Sequence, residues 1–293
     1  MLHLVKKMND KHELTAGQSS TNIQGSKNVN VNQYGLGFNE VKEVAMMVFK
    51  SNFYDLGKTV EDTINERAEE IINKYLDRLI TKDPESLKNT EDPDLRFNIY
   101  EMQKNHAKRG DEKIADLLVD MLVDRTMVKE EEFLKLIYNE SMMMVPKLTS
   151  KQIDILTVIF LTRYVKCSIF QIQGFTELLM QFANDVPNEV FFYQHLQYAG
   201  CVSISIGSFD LVAHLKEEFP DLVPSSVDPE DRLFKRNLKS VSPKLFSFSH
   251  KWNRTKICSS SLTSVGIAIA IANFNRVTGG DWNLSAWIEG LKD

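Results

Sequence analysis

Between Asn39 and Ile80 the chain runs for about forty residues without a proline, and its apolar residues recur at helical spacing. Val41, Val44, Ala45, Val48, Phe49, Leu56, Val60, Ile64, Ala68, Ile71, Tyr75, Leu76 and Leu79 make one stripe, opened by Asn39 as an N-cap. A helix over residues 38–82 exceeds the usual globular length, and its stripe needs an equally long partner surface. That partner is either later helices of the same chain or a second copy. Gly57 is the interior residue at which the run is expected to bend or break.

The polar connection Thr81–Asp94, with two prolines, closes this stretch. Helical patterns follow at Asp94–Lys108, Asp111–Met127, Glu130–Met144, Ser150–Lys166, Phe175–Asn184 and Asn188–Ala199. Thr149-Ser150 is a helix start placed after Pro146 has ended its predecessor. Beyond Gly200 the texture changes. Cys201–Gly207 alternates like a short strand, and Lys244–His250 and Thr255–Ser260 are further strand candidates. The segment from Thr263 reads as a helix despite its alternating isoleucines, because alanines separate them. A last helix is predicted over Leu284–Leu291. The expected fold is mainly α: a mobile leader at 1–16, a β-rich strand pair at 17–37, the long helix at 38–82, a helical domain at 83–200, and a small winged-helix-like α+β unit at 201–293.

The leader "GQSSTNIQGSKNVNVNQ" (Gly17–Gln33) has two halves, each opening with glycine. Val29 and Val31 alternate with asparagines, Thr21 and Ile23 share that parity, and Gly25-Ser26 suits a turn. A lone two-stranded hairpin is marginal in water. Three aliphatics do not offset ordering about fifteen residues at roughly 1–2 kcal/mol each. The segment is therefore disordered, docked on its own domain, or paired with other copies; strict alternation and glycine-bounded halves favour the last. The residues expected to drive oligomerisation are Ile23, Val29 and Val31, with Val41, Val44 and Val48 of the helix.

With 293 residues and 43% hydrophobic composition, the chain can bury a core without a metal or disulfide staple. The net charge of -5 argues against whole-surface binding of nucleic acid or anionic membrane. Cys167, Cys201 and Cys258 have no CxxC spacing and read as reduced thiols of a cytoplasmic protein. The N-terminus lacks a secretory h-region, and no apolar run approaches the roughly 20 residues of a membrane span. None of the six histidines has metal-ligand spacing, and phosphate-loop, nucleophile-elbow and dinucleotide glycine motifs are absent. No cofactor, metal or catalytic residue is expected. His195 and Cys201 flank a helix end, but Cys201 reads better as a core thiol than as a nucleophile. The acidic runs read as solvated helix faces, and "SMMMV" (Ser141–Val145) as adaptable apolar packing.

Two stretches carry a resemblance. The segment from Asp94 to Asn273, with "LTSKQIDIL", "QHLQYAG" and "LTSVG", resembles bacterial abortive-infection alpha-type proteins. The opening "STNIQGSKNVNV" resembles the S-T-N-I-Q-x-G leader of an uncharacterised bacterial family. Neither brings a catalytic residue. The resemblance implies a role in antiphage defence, as a non-enzymatic, self-assembling protein whose helical body carries the sensing or effector surface. Its expected partners are other copies of itself and a phage or host protein. The alternative is a nucleic-acid-binding regulator. Between Leu233 and Ile257 stand Lys235, Arg236, Lys239, Lys244, Lys251, Arg254 and Lys256 without one acid, interleaved with Phe234, Phe246, Phe248 and Trp252. The contact residues of that reading are Lys235, Arg236, Lys239, Lys251, Arg254 and Lys256. The bland reading is a core strand with solvated cations.

Overall fold

The computed structural model describes residues 37–52, 58–128, 132–223 and 231–289. The stripe that opens the chain is divided between α1 (Phe38–Asn52) and α2 (Lys58–Lys82). These fold back on each other: Lys42 Nζ lies 2.8 Å from Glu69 Oε1, a pair that one straight helix would hold about 40 Å apart. The expected single helix over 38–82 is thus corrected to two, and Gly57 lies outside the described residues. The stripe finds its partner in the same chain. Val41, Ala45 and Phe49 of α1 are buried, as are Ala68, Ile71, Ile72, Tyr75, Leu76 and Leu79 of α2.

A 3-10 turn (Pro84–Glu91) leads to α3 (Pro93–Arg109), which has Asp92 as N-cap and proline at its start. Asp111 caps α4 (Glu112–Met127) through the amides of Lys113 and Ile114. After α5 (Glu132–Met144), Thr149 and Gln152 form a reciprocal capping box on α6 (Ser150–Arg163), the start expected from Thr149-Ser150. Then come α7 (Ile172–Met180), α8 (Val190–Tyr198), β1 (Val202–Ile204), α9 (Leu211–Glu218), α10 (Arg232–Val241), α11 (Pro243–Trp252), β2 (Ser260–Leu262), α12 (Ser264–Thr278) and α13 (Leu284–Glu289).

The core is organised around α12. Every residue from Val265 to Phe274 is buried, so the helix is enclosed rather than amphipathic. It packs on α6, α5 and α4. Residues Leu36–Asp293 form one compact unit; its main apolar cluster runs from Val41 through Leu284, with a small separate one of Phe49, Ala68 and Ala107. Among the described residues the sheet is one antiparallel pair, with Val202 opposite Leu262 and Ile204 opposite Ser260. Two strands this short do not stand alone; the phenol of Tyr164, just beyond α6, accepts from the Leu262 amide at 2.8 Å.

Lys244–His250, expected as a strand, is helical within α11. Ser242 caps it, Pro243 occupies the first turn, and Leu245, Phe248, Ser249 and Trp252 make its buried face. The Phe-Ser alternation mimics a period of two, but burial follows a period of 3.6. Thr255–Ser260 is mostly a 3-10 turn over Lys256–Ser259, and only its last residue enters β2.

At Gly266 the start of α12 approaches another backbone. A Cβ there would stand 2.0 Å from the Cys201 carbonyl oxygen, which also accepts from the Thr263 amide at 3.1 Å. Gly266→Ala is expected to cost about 3 kcal/mol or more. Gly174→Ala, with open space around its Cβ, is expected to gain a few tenths to about 1 kcal/mol. Urea unfolding of both variants checks the pair.

Candidate functional site

Three surfaces carry the residues with chemical potential. The first is an ion-pair ladder between α2 and α4. Both helices repeat their charges every fourth residue: Lys74, Arg78 and Lys82 on α2; Glu112, Asp116, Asp120 and Asp124 on α4. The distances are 2.5 Å for Lys74–Glu112, 2.9 Å for Arg78–Asp116, 2.6 Å for Arg78–Asp120 and 2.8 Å for Lys82–Asp124. Arg276 of α12 adds a bond of 3.1 Å to Asp116. Beside the ladder lie two clefts, of ≈ 410 Å³ and ≈ 490 Å³, that share Lys82, Asp124 and Asp281. Burial pushes the Asp120 and Asp124 carboxyls up, against the opposing pull of Arg78 and Lys82 respectively. Each ladder carboxylate has a cationic partner, the arrangement of a structural network. Acidic stretches read from the sequence as solvated helix faces, which does not anticipate the pairing of the α4 acids with α2.

The second surface is the hairpin of α10 and α11, where the basic run lies. Phe234, Leu238, Leu245, Phe248 and Trp252 are buried, so Phe234, Phe248 and Trp252 are not available to stack on bases. Arg236, Lys239, Lys244, Lys251, Arg254 and Lys256 are exposed, and Lys235 is half-buried. Among the described residues none of these seven has a carboxylate within ion-pair distance. Lys239 Nζ stands 5.8 Å over the Phe246 ring. The structure places Lys235, Arg236 and Lys239 on α10, Lys251 on α11, and Arg254 and Lys256 in the turns just beyond it.

The third is apolar. On α5, Phe133, Leu136 and Met143 are 56%, 51% and 52% exposed at helical spacing, and Phe97 of α3 is 58% exposed. The Asn98–Asn139 hydrogen bond, 2.8 Å, joins the two helices next to Phe97. Of the residues expected to drive oligomerisation, Val41 instead belongs to the core of its own chain. Val44 and Val48 stay at the surface of a shallow apolar depression with Ile99 and Tyr100. Ile23, Val29 and Val31 lie outside the described residues.

Cys167, Cys201 and Cys258 are core thiols. All three are free and buried, and burial pushes Cys167 and Cys201 up to about 12. His195 Nδ1 is engaged by Gln152 at 2.9 Å, and the Cys201 thiol points to the Ala199 carbonyl. His214 Nε2 lies 3.8 Å from Cys167 Sγ, a pairing the sequence did not suggest. One group of metal-ligating residue types is brought together from three helices: Glu70, His106 and Glu112.

A model of an uncharacterised protein family matches residues 35–232 and, in a second match, residues 215–288. The chain belongs to that family. The match begins after Ile23, Val29 and Val31, so the family is carried by the helical body rather than by the leader. No curated protein and no solved structure matches the chain. No helix among the described residues is long and apolar enough to cross a membrane.

Asp154 of α6 supplies a pH test of how this body handles its polar interior. Its Oδ1 accepts from Asn273 Nδ2 at 3.1 Å, and burial is the main cause raising its carboxyl above the usual range. A carboxyl raised in the folded state opposes folding while ionised, and that handicap vanishes as pH falls below the unfolded value of about 3.9. Asp154→Asn keeps the acceptor and removes the charge. It is expected to stabilise by on the order of 1 kcal/mol at pH 7 and to give no gain near pH 3, measured by urea unfolding at both pH values.

Proposed function

We propose that the protein is a non-enzymatic, self-assembling component of bacterial antiphage defence, abortive-infection-like, whose helical body supplies the contact surface. The observation that carries the self-assembly reading is the exposed stripe Phe133, Leu136 and Met143 with Phe97. Three large apolar side chains left open at helical spacing along one helix mark a protein-contact face. A second copy is the occupant proposed, because the 17–33 segment also calls for strand partners beyond its own few aliphatics. The defence assignment rests on the resemblance of Asp94–Asn273 to abortive-infection proteins.

The test is the solution mass of the full chain by light scattering. An oligomer is expected; deleting residues 1–33 or introducing Phe133→Glu with Leu136→Glu lowers its mass and leaves helical circular dichroism largely intact. A wild-type monomer, or a mass indifferent to both changes, removes the proposal. In cells, plaque counts on a strain expressing the chain should fall relative to the Phe133→Glu, Leu136→Glu variant.

A second reading, a nucleic-acid-binding regulator, is favoured by the cations of α10, α11 and the turns just beyond, none of which has a carboxylate within ion-pair distance among the described residues. With Phe234, Phe248 and Trp252 buried and only Phe246 partly open, this surface suits phosphate contact better than base stacking. It predicts DNA or RNA binding that weakens steeply with salt. Neutralising Lys235, Arg236, Lys251 and Arg254 should weaken it by about tenfold or more and flatten the salt slope. Absence of binding in low-salt mobility-shift assays dismisses it.

A further inference from the structure

His106 occupies the last turn of α3 with its side chain 1% exposed. Neither ring nitrogen has a hydrogen-bond partner. A buried polar group left unmet costs roughly 1–3 kcal/mol, so such a ring calls for a ligand. Nε2 faces Glu70 Oε2 of α2 at 3.6 Å and Glu112 Oε1 of α4 at 3.9 Å. Both distances exceed hydrogen-bond range. The other oxygen of each carboxylate is already used: Lys74 Nζ binds Glu70 Oε1 at 2.7 Å and Glu112 Oε2 at 2.5 Å. Lys74 thus holds the two carboxylates from outside, while one oxygen of each is turned toward the imidazole.

We infer that Glu70, His106 and Glu112 form a binding site for a divalent transition-metal ion, each giving one donor atom. Donor atoms of the three lie within 4.8 Å of one another. A tetrahedral ion spaces its donors by roughly 3.4 Å, so the site closes by small side-chain movements. Glu112 is the residue able to make them, at 57% exposure, and its open side gives an entry path and room for water as a further ligand. Two carboxylates bring two negative charges and Lys74 returns one positive, with Asp116 3.9 Å from the Lys74 ammonium. One imidazole with carboxylates suits zinc and its first-row neighbours, and disfavours magnesium, which takes oxygen donors. Binding through Nε2 satisfies one of the two bare nitrogens; the Nδ1 proton stays unmet. An ion held here ties α2, α3 and α4 together, so it stabilises the folded chain by mass action.

The inference is independent of the assembly and nucleic-acid readings. Isothermal titration of the full chain with zinc chloride in a non-chelating buffer at pH 7 tests it, alongside thermal melts. One site per chain is expected, weakened by about tenfold or more in His106→Gln and in Glu112→Gln. Zinc should raise Tm of the wild type and not of the variants, and magnesium at equal concentration should do neither. Glu112→Gln alters an exposed side chain, so it decides the matter even where His106→Gln does not fold. Absence of zinc binding by the wild type, or equal binding by wild type and Glu112→Gln, overturns the site.

Discussion

The enclosure of α12 is the constraint on which the rest of this body depends. Ten consecutive buried residues leave no face for water, so the helix exists only inside a ring of neighbours. α4, α5 and α6 supply that ring, and the small side chains at Gly266, Ala268, Ala270 and Ala272 let them close on it. Asn273 would be a liability in such a setting, but its amide donates to Thr157 Oγ1 at 2.9 Å and to Asp154. Its acceptor therefore comes from a carboxylate whose own burial is unfavourable. The helix also fixes both ends of the small sheet's surroundings: Gly266 touches the carbonyl just before β1, and β2 runs straight into its N-cap.

The N-terminal hairpin is attached to that ring by charge as well as by apolar packing. The ladder from Lys74 to Asp124 sets α2 and α4 in one register along three turns, because each step repeats at one helical turn. Arg276 extends it to α12. Arg125, 2% exposed, does the corresponding work at the start of α3, bonding Asp94 at 2.6 Å and Asn139 at 3.1 Å. Removing one partner of such a buried pair would strand a charge, so these links fix geometry more than they add stability.

The legible parts of this fold are those where local signals and burial agree. The stripe of α2, the helix start at Thr149-Ser150 and the helix after Thr263 were all readable, the last because alanine between isoleucines favours helix over strand. The reading failed in α11, where Phe246 and Phe248 imitate a strand. Yet Ser242-Pro243 followed by Leu245, Phe248 and Trp252 carried the opposing helical signal. It also failed between α1 and α2, since a periodic stripe says nothing about chain reversal. Long-range partners were beyond it altogether. Lys74 and Glu112, or Glu70 and His106, meet only because three helices pack, and no local spacing encodes that. The Cys167–His214 approach likewise depends on tertiary placement.

Charge distribution brings these threads together. A net charge of -5 averages over two unlike surfaces. On the α2–α4 side, cations and carboxylates neutralise one another at contact distance, so their field is short-ranged. On the α10–α11 side, seven cations between Leu233 and Ile257 meet no acid in sequence. Among the described residues none of them has a carboxylate within ion-pair distance, although Lys251 acts on Asp185 at longer range. Beyond a Debye length of about 8 Å the ladder contributes little at the hairpin, and the local potential there is set by Lys235, Arg236 and their neighbours. Net charge is therefore a weak guide to what this surface attracts. The apolar stripe sits on α3 and α5, whose side chains are distinct from that cationic set, so contact with a second copy and contact with an anion draw on different residues and need not compete.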